Sequence, residues 1–271
     1  MKKDLKLFAT DMDGTFLRSD HTFDHARLQR LLENFAKKGW VFAAASGRSL
    51  LALQEVFADF QDQMAFVAEN GGVIAVGQDI ISTQSLNLEQ VQAIVDMLQT
   101  MPHAPKHSFL VSGLKAAYAL ETIDQEFYDF AIHYYPHLEK VKSLDAIEDT
   151  LLKVTTNFPP EHIRACEDWL NQQIPFVHAT TSGFTSVDII PAGINKATGL
   201  RQLLQHFGWS AENLAAFGDQ MNDYEMLEFA GTSYAMSNAI PEIQALADEV
   251  IGSNDEEAVF GKLEQLLNMK W

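Results

Sequence analysis

The sequence predicts an α/β protein with a doubly wound, Rossmann-like parallel sheet and an inserted α+β domain. Apolar strands alternate with helical patterns at both ends of the chain, as expected for strands buried between two layers of helices. Between about residues 84 and 190 this alternation gives way to hairpins and helices, which indicates a separate α+β domain. We therefore expect a core built from 1–83 and 191–271, and an insertion over 84–190.

The N-terminal part opens with a short apolar strand that ends at two aspartates. The first helix is indicated by Leu28, Leu31, Leu32 and Phe35, which recur at helical spacing, and by Gly39, a residue type that commonly ends helices. The elements predicted here are a strand at 5–10, a helix within 22–38, a strand at 41–46, a helix at 49–60, a strand at 65–70, and a hairpin of 73–76 and 79–82.

The middle of the chain is predicted to run helix, two strands, helix, strand, helix, two strands. Its hairpin turns lie around Gly113 and at Ser182-Gly183-Phe184. The last third returns to the alternating pattern, with a helix at 196–207, a strand at 214–219, a helix at 223–230, a strand at 233–238, a helix at 241–247, a strand at 249–252 and a final helix.

Composition excludes several functional classes. The 271 residues carry a formal net charge of −18, which argues against nucleic acid as a partner because a polyanion would be repelled. A single cysteine allows no intramolecular disulfide framework. The N-terminal apolar run is too short for a signal peptide, and no stretch reaches the ~18 apolar residues of a membrane span. We expect a cytoplasmic protein that does not bind membranes; the oligomeric state stays open, and a monomer is compatible with the sequence.

The first chemical signal is the pair Asp11 and Asp13 at the end of the first strand. Side chains two residues apart can face the same pocket, and Gly14 then allows a sharp turn. A calcium-binding EF-hand loop is excluded, because it needs glycine at its sixth position and glutamate at its twelfth, which here is Thr22. A purely structural turn is the remaining alternative.

A second acidic cluster follows a later strand. Asp219 ends that strand, and Asn222 and Asp223 begin the next helix. With Asp11 and a main-chain carbonyl they offer the hard oxygen ligands that Mg²⁺ prefers. Helix capping by Asp219 or Asn222 is the simpler alternative and is compatible with metal binding.

Ser46 and Lys196 are weak signals individually. A serine before a helix is more often a cap, and a lone lysine is more often a solvated surface charge. Their position beside the two acidic clusters makes both candidates for holding a phosphoryl group, because ligands of α/β sheets bind at the carboxyl ends of the strands.

Taken together, these motifs resemble those of the haloacid dehalogenase superfamily. The four motifs are Asp-Met-Asp-Gly-Thr at 11–15, Ser-Gly-Arg at 46–48, Lys196, and Gly-Asp-x-x-Asn-Asp at 218–223. Four further segments resemble its Cof-type branch of sugar phosphatases: Glu-Asn-Gly at 69–71, Lys-Ala-Thr-Gly-Leu at 196–200, Asn-Asp-Tyr-Glu-Met-Leu at 222–227 and Ala-Met-Ser-Asn-Ala at 235–239.

The resemblance implies a Mg²⁺-dependent phosphatase that hydrolyses small phosphate monoesters, sugar phosphates above all, with 84–190 as a type IIB cap that sets specificity. Asp11 would attack phosphorus to form an aspartyl-phosphate, and Asp13 would act as general acid and then base. The site roles it implies are metal binding by Asp11, Asp13 and Asp219, and phosphoryl binding by Ser46, the Gly47 main-chain N–H, Lys196 and Asn222, with Asp223 orienting Lys196 or the metal shell.

Two alternatives remain open at this point. A phosphomutase of the same fold would return the phosphoryl group to a sugar bisphosphate instead of to water. A non-catalytic sensor of a phosphorylated ligand would be expected to lack Asp11 or Asp13, and both are present. Specificity is expected to come from cap residues, with the loops around Gly113 and 182–184 as candidates.

Overall fold

The structure is a computed structural model in which residues 4–182 and 185–268 are described. In these residues the strands are β1 (Leu7–Thr10), β2 (Val41–Ala45), β3 (Ala65–Ala68), β4 (Val73–Val76), β5 (Asp79–Thr83), β6 (Phe109–Gly113), β7 (Ala117–Leu120), β8 (Leu138–Val141), β9 (Leu151–Asn157), β10 (Val177–Thr181), β11 (Ser186–Pro191), β12 (Leu214–Gly218), β13 (Thr232–Ala235) and β14 (Glu249–Val250). The α-helices are α1 (His25–Lys38), α2 (Leu50–Val56), α3 (Leu88–Thr100), α4 (Gln125–Ala131), α5 (Ile163–Gln173), α6 (Lys196–Phe207), α7 (Tyr224–Phe229), α8 (Pro241–Leu246) and α9 (Ala258–Asn268).

The first sheet is the doubly wound α/β sheet that the alternation predicts. Its strand order is β14-β13-β12-β1-β2-β3-β4-β5. The pairs from β14 through β3 are parallel, whereas β4 joins β3 in the antiparallel direction. This order places β1 between β2 and β12, so their carboxyl ends lie side by side, and the acidic clusters that follow β1 and β12 meet at one edge.

Local sequence explains where the first helix begins and ends. The Asp24 side chain accepts a hydrogen bond from the Arg27 N–H, which satisfies one of the unpaired donors of the first turn. At the other end Gly39 adopts a left-handed conformation and its N–H bonds back to the last turn. The four apolar residues that predicted this helix are all buried.

The second sheet has the order β10-β11-β9-β6-β7-β8 and is antiparallel except between β7 and β8. One face carries Val111, Val154 and Val187, which pack in a single apolar cluster with the buried sides of α3 and α5. Because strand side chains alternate between faces, Lys153 and Thr155 lie on the opposite face. Hairpins and helices on one sheet make this part an α+β domain, as predicted.

The structure departs from the sequence prediction at a few elements. Strand β8 was not predicted, because it is a partly exposed edge strand whose central residues Glu139 and Lys140 give no apolar alternation. Helix α2 ends at Val56, where a helix was expected to continue to residue 60. Strand β14 is reduced to two residues.

Contacts divide the chain into two compact units. Of the described residues, one unit contains 4–46, 57–82 and 195–268, and the other contains 47–56, 83–182 and 185–194. The assignment of 84–190 as a cap with a boundary at each end stays a prediction. Within the described residues, no helix combines the length and the apolar character needed to cross a bilayer.

Candidate active site

Asp11 follows β1 directly and lies in a buried position. Its main-chain N–H donates to the Phe217 carbonyl of β12, so the residue still belongs to the parallel ladder. Lys196, the first residue of α6, donates to Asp11 Oδ1 and to Asp223 Oδ1, each over 2.6 Å. Asp11 and Lys196, which are 185 positions apart in the sequence, therefore form one buried ion-pair network with Asp223.

Asp219 lies beside this network, at the end of β12. Its main-chain N–H donates to Asp223 Oδ2 over 2.9 Å, and its Oδ1 accepts from the Thr15 hydroxyl over 2.7 Å. Gly14 completes the contact: it has a φ of +83°, and a Cβ there would lie 2.5 Å from Asp219 Oδ2. A residue with a side chain would be strained at this φ and would push Asp219 aside.

The carboxylates of Asp11, Asp219 and Asp223 form the candidate metal centre found in the described part of the chain. Each offers an oxygen within 4.8 Å of the other two, and all three residues are buried. Three carboxylates beside one ammonium leave an excess of buried negative charge. Hard oxygen ligands carrying that excess fit a divalent cation such as Mg²⁺.

The pKa shifts in the cluster also fit the binding of a divalent cation. Burial, partly offset by Lys196 and increased by Asp223, raises the pKa of Asp11 well above its usual value. Burial, followed by repulsion from Asp223, raises the pKa of Asp219 to about 7. Burial opposes the charge on Lys196, but Asp11 and Asp223 outweigh it and raise the pKa of the ammonium. A dication would favour the ionised carboxylates that these shifts disfavour.

Asp13 occupies a different environment from Asp11. Its side chain is 43 % exposed and does not belong to the carboxylate cluster, and the His21 imidazole lies 3.3 Å from its Oδ1. The expectation that Asp13 contributes a metal ligand stays a prediction. His21 was missed by the sequence analysis, since a histidine eight residues away carries no spacing signal.

Ser46 and Asn222 are both linked to Asn70, which follows β3. The Ser46 N–H donates to the Val67 carbonyl, and its own carbonyl accepts from the Asn70 N–H over 3.0 Å. Asn222 Nδ2 donates to Asn70 Oδ1 over 3.3 Å. The Glu-Asn-Gly segment thus ties two predicted phosphoryl-binding residues to the same turn.

The same segment packs against the start of α6. Gly71 has a φ of +102°, and a Cβ there would lie 2.1 Å from the Asn195 carbonyl oxygen. Asn195 caps α6 by accepting from the Thr198 N–H, so this close approach fixes the helix end that carries Lys196.

Gly47 and Gly113 lie in the other compact unit. The Gly47 carbonyl accepts a hydrogen bond from Lys153 over 2.6 Å, a contact that the sequence analysis did not foresee. Gly113 lines a small pocket together with Tyr135 and His137. Of the other proposed specificity loop, residues 183 and 184 lie outside the described part of the chain.

Comparison with known proteins shows which family the chain belongs to. Residues 8–263 match the haloacid dehalogenase-like hydrolase family. The chain is 34 % identical over 265 residues to the 5-amino-6-(5-phospho-D-ribitylamino)uracil phosphatase YbjI of Escherichia coli (strain K12), covering 97 % of this chain and 96 % of the relative.

Solved structures show the same fold over nearly the full length. SMU.1108c from Streptococcus mutans UA159 superposes with a TM-score of 0.90 at 31 % identity, covering 98 % of this chain and all of that one. The HAD subclass IIB sugar phosphatase BT4131 superposes with a TM-score of 0.80 at 21 % identity, covering 96 % and 98 %, and supports the fold alone. The chain belongs to the haloacid dehalogenase-like hydrolase family, and it is a phosphatase of that family.

Proposed function

We propose that the chain is a Mg²⁺-dependent phosphatase whose nucleophile is Asp11 and whose substrates carry phosphate on a sugar or sugar-alcohol group. The observation that carries the proposal is the network of Asp11, Lys196, Asp223 and Asp219. It combines a buried carboxylate, a cation beside it and a set of oxygen ligands for a metal, which is what attack on an anionic phosphate requires.

In the first half-reaction Asp11 attacks phosphorus, the bond to the leaving oxygen breaks, and an aspartyl-phosphate forms. Asp13 gives its proton to the departing alkoxide. In the second half-reaction Asp13 takes a proton from water, and that water hydrolyses the aspartyl-phosphate. The exposed position of Asp13 beside His21 suits a group that exchanges protons with substrate and water.

Asp11 and Asp219 would hold Mg²⁺, and at Asp13 we assign the ligand to the main-chain carbonyl. The bound ion supplies positive charge that lets a carboxylate approach a phosphate dianion. The phosphoryl oxygens are held by Ser46, the Gly47 N–H, Lys196 and Asn222. Asp223 keeps Lys196 charged and directed at Asp11.

The substrate class rests on the relatives and on the predicted cap. The Escherichia coli relative is named for a substrate with a phosphorylated ribityl chain. We infer that this chain also acts on a phosphorylated polyol or sugar, and that residues 84–190 form a cap that recognises the leaving group. Because the cap would close over the leaving group, bulk water would be excluded while the aspartyl-phosphate forms.

Phosphate release from p-nitrophenyl phosphate, with MgCl₂ and then with EDTA, tests the activity. We expect turnover with Mg²⁺ and loss with EDTA. A panel of sugar phosphates, the phosphoribitylamino-uracil compound and nucleotides then tests the substrate class. Binding of phosphate esters without turnover would indicate the sensor, and transfer to a second sugar instead of to water would indicate the mutase.

A further inference from the structure

A buried ion pair on the six-stranded sheet does not belong to the carboxylate cluster. Lys153 of β9 is 1 % exposed and Asp188 of β11 is 2 % exposed. Lys153 Nζ donates to Asp188 Oδ2 over 3.0 Å. The pair lies on the face of the sheet opposite to the apolar cluster of α3 and α5.

The direction of the lysine is fixed by its neighbours. Asp188 Oδ1 accepts from the Thr155 hydroxyl over 2.7 Å, and Thr155 is in turn bonded to the Tyr135 hydroxyl over 3.1 Å. Both oxygens of Asp188 are therefore engaged, so the carboxylate cannot rotate without breaking a hydrogen bond. Asp188 thereby holds the Lys153 ammonium in one place.

From that place Lys153 donates over 2.6 Å to the main-chain carbonyl of Gly47, which lies 106 residues earlier in the chain. A buried ion pair contributes little net stability, because removing two charges from water cancels most of their attraction. A gain in the stability of the sheet therefore does not explain why a lysine contacts this carbonyl.

The contact completes the fixation of the Gly47 backbone. The preceding peptide group is held at its other end, since the Ser46 carbonyl accepts from the Asn70 N–H. That peptide group contains the Gly47 N–H, and the following one contains the carbonyl bound by Lys153. The two peptide planes that meet at Gly47 are thus each anchored by a hydrogen bond.

We propose that Lys153, held by Asp188, is a positioning residue that orients the Gly47 N–H for binding a phosphoryl oxygen. The inference rests on the proposed function, in which that N–H binds the phosphoryl group. Lys153 does not touch the reacting atoms; it acts through the Gly47 carbonyl. Loss of Lys153 should therefore weaken phosphate binding, and the weakening should persist when Asp188 is neutralised as well.

The experiment measures the Ki of inorganic phosphate against p-nitrophenyl phosphate, using the full chain with MgCl₂. Lys153→Met should raise Ki by about tenfold, the expected effect of losing the charge-assisted hydrogen bond from the Gly47 N–H to phosphate. Because Lys153→Met removes one charge of a buried ion pair, the double variant Lys153→Met/Asp188→Asn removes both charges and should show the same rise. Lys153→Arg, which keeps a donor and the charge, should recover part of the affinity.

The matched control is Thr156→Val on the same strand. Thr156 is buried and its hydroxyl bonds to the Ser108 carbonyl, so this variant removes a buried hydrogen bond of the sheet without touching Gly47. It should lower Tm and leave Ki unchanged. A Ki within about twofold of wild type in both Lys153→Met variants would overturn the inference, whereas a wild-type protein that releases no phosphate would instead overturn the proposed function.

Discussion

The ammonium of Lys196 donates to Asp223 Oδ1 over 2.6 Å, and neither side chain is accessible to solvent. The same nitrogen donates to Asp11. Asp223 also accepts from the main-chain N–H of Asp219, so one carboxylate holds both the cation and the turn that carries the proposed metal ligand. The arrangement explains why an acid that touches neither phosphorus nor leaving group belongs to the site.

Lys196→Met should remove the buried ammonium, so that the negative charges of Asp11 and Asp223 are no longer balanced by it. We expect unfolding free energy to fall by about 3–5 kcal/mol, the usual cost of removing one partner of a buried ion pair. We also expect kcat/KM to fall by at least about 10³-fold, because charge stabilisation of the transferring phosphoryl group is lost. Urea denaturation and phosphate release measure the two effects.

The control for this variant is Lys262→Met. Lys262 also pairs with a carboxylate, Glu249, over 2.7 Å, but Glu249 is half exposed and the pair lies outside the site. It should cost no more than about 1 kcal/mol and leave kcat/KM unchanged. Equal losses in the two lysine variants would contradict the role assigned to Lys196.

Metal-free protein should lose stability as pH rises through the range in which Asp219 titrates. Burial raises the pKa of Asp219 to about 7 from the usual 3.8, so the folded state binds this proton more tightly than the unfolded chain. Stability contributed by the bound proton is present below the unfolded pKa and is lost as pH rises towards 7, by up to about 4 kcal/mol. Asp11 contributes in the same direction.

Mg²⁺ should restore the stability that metal-free protein loses as pH rises. The increase in Tm on adding MgCl₂ should be roughly 5 °C larger at pH 8 than at pH 5, because the ion binds the ionised carboxylates. In Asp219→Asn this difference should shrink, since one of the titrating groups is gone. A Mg²⁺ effect that is the same at both pH values would contradict metal binding at this cluster.

Gly14→Ala should weaken metal binding, because the added Cβ would displace Asp219. Backbone strain alone, as in Gly39→Ala, should not have this effect. Both Gly14 and Gly39 have positive φ, but a Cβ at Gly14 meets Asp219 Oδ2 whereas one at Gly39 meets nothing within 4 Å. The positive φ alone should cost about 1 kcal/mol of stability in each alanine variant, and the clash with Asp219 adds to this cost only in Gly14→Ala. Only Gly14→Ala should raise the Mg²⁺ concentration for half-maximal activity, and an equal rise in Gly39→Ala would contradict the contact with Asp219.

Asp13→Asn should discriminate between leaving groups. A sugar alkoxide needs a proton as it departs, whereas p-nitrophenolate does not, so the first-step rate should fall at least about 10²-fold for a sugar phosphate and far less for p-nitrophenyl phosphate. Rapid-quench measurement of aspartyl-phosphate formation separates this step from the later hydrolysis, which also uses Asp13. Equal losses for the two substrates would remove Asp13 from the acid role.

The sequence predicted the α/β fold well because strand and helix patterns are local. The helical spacing of the apolar residues from Leu28 to Phe35 predicted α1. The acidic residues that follow β1 and β12 predicted the edge of the sheet at which the two acidic clusters meet. The contact of Lys153 with Gly47 had no such signal, because it joins residues 106 positions apart and a lysine within a strand is usually exposed. The ties from Asn70 to Ser46 and Asn222 were hidden for the same reason.

The central claim is that Asp11 is the nucleophile of a Mg²⁺-dependent phosphatase. Phosphate release by Asp11→Asn, compared with wild type and with the surface control Asp62→Asn, tests it most directly. We expect the control to retain wild-type turnover and Asp11→Asn to retain less than about a hundredth of the wild-type kcat, since an amide cannot replace the attacking carboxylate. Turnover by Asp11→Asn above that level, in a protein with a wild-type Tm, would contradict the account.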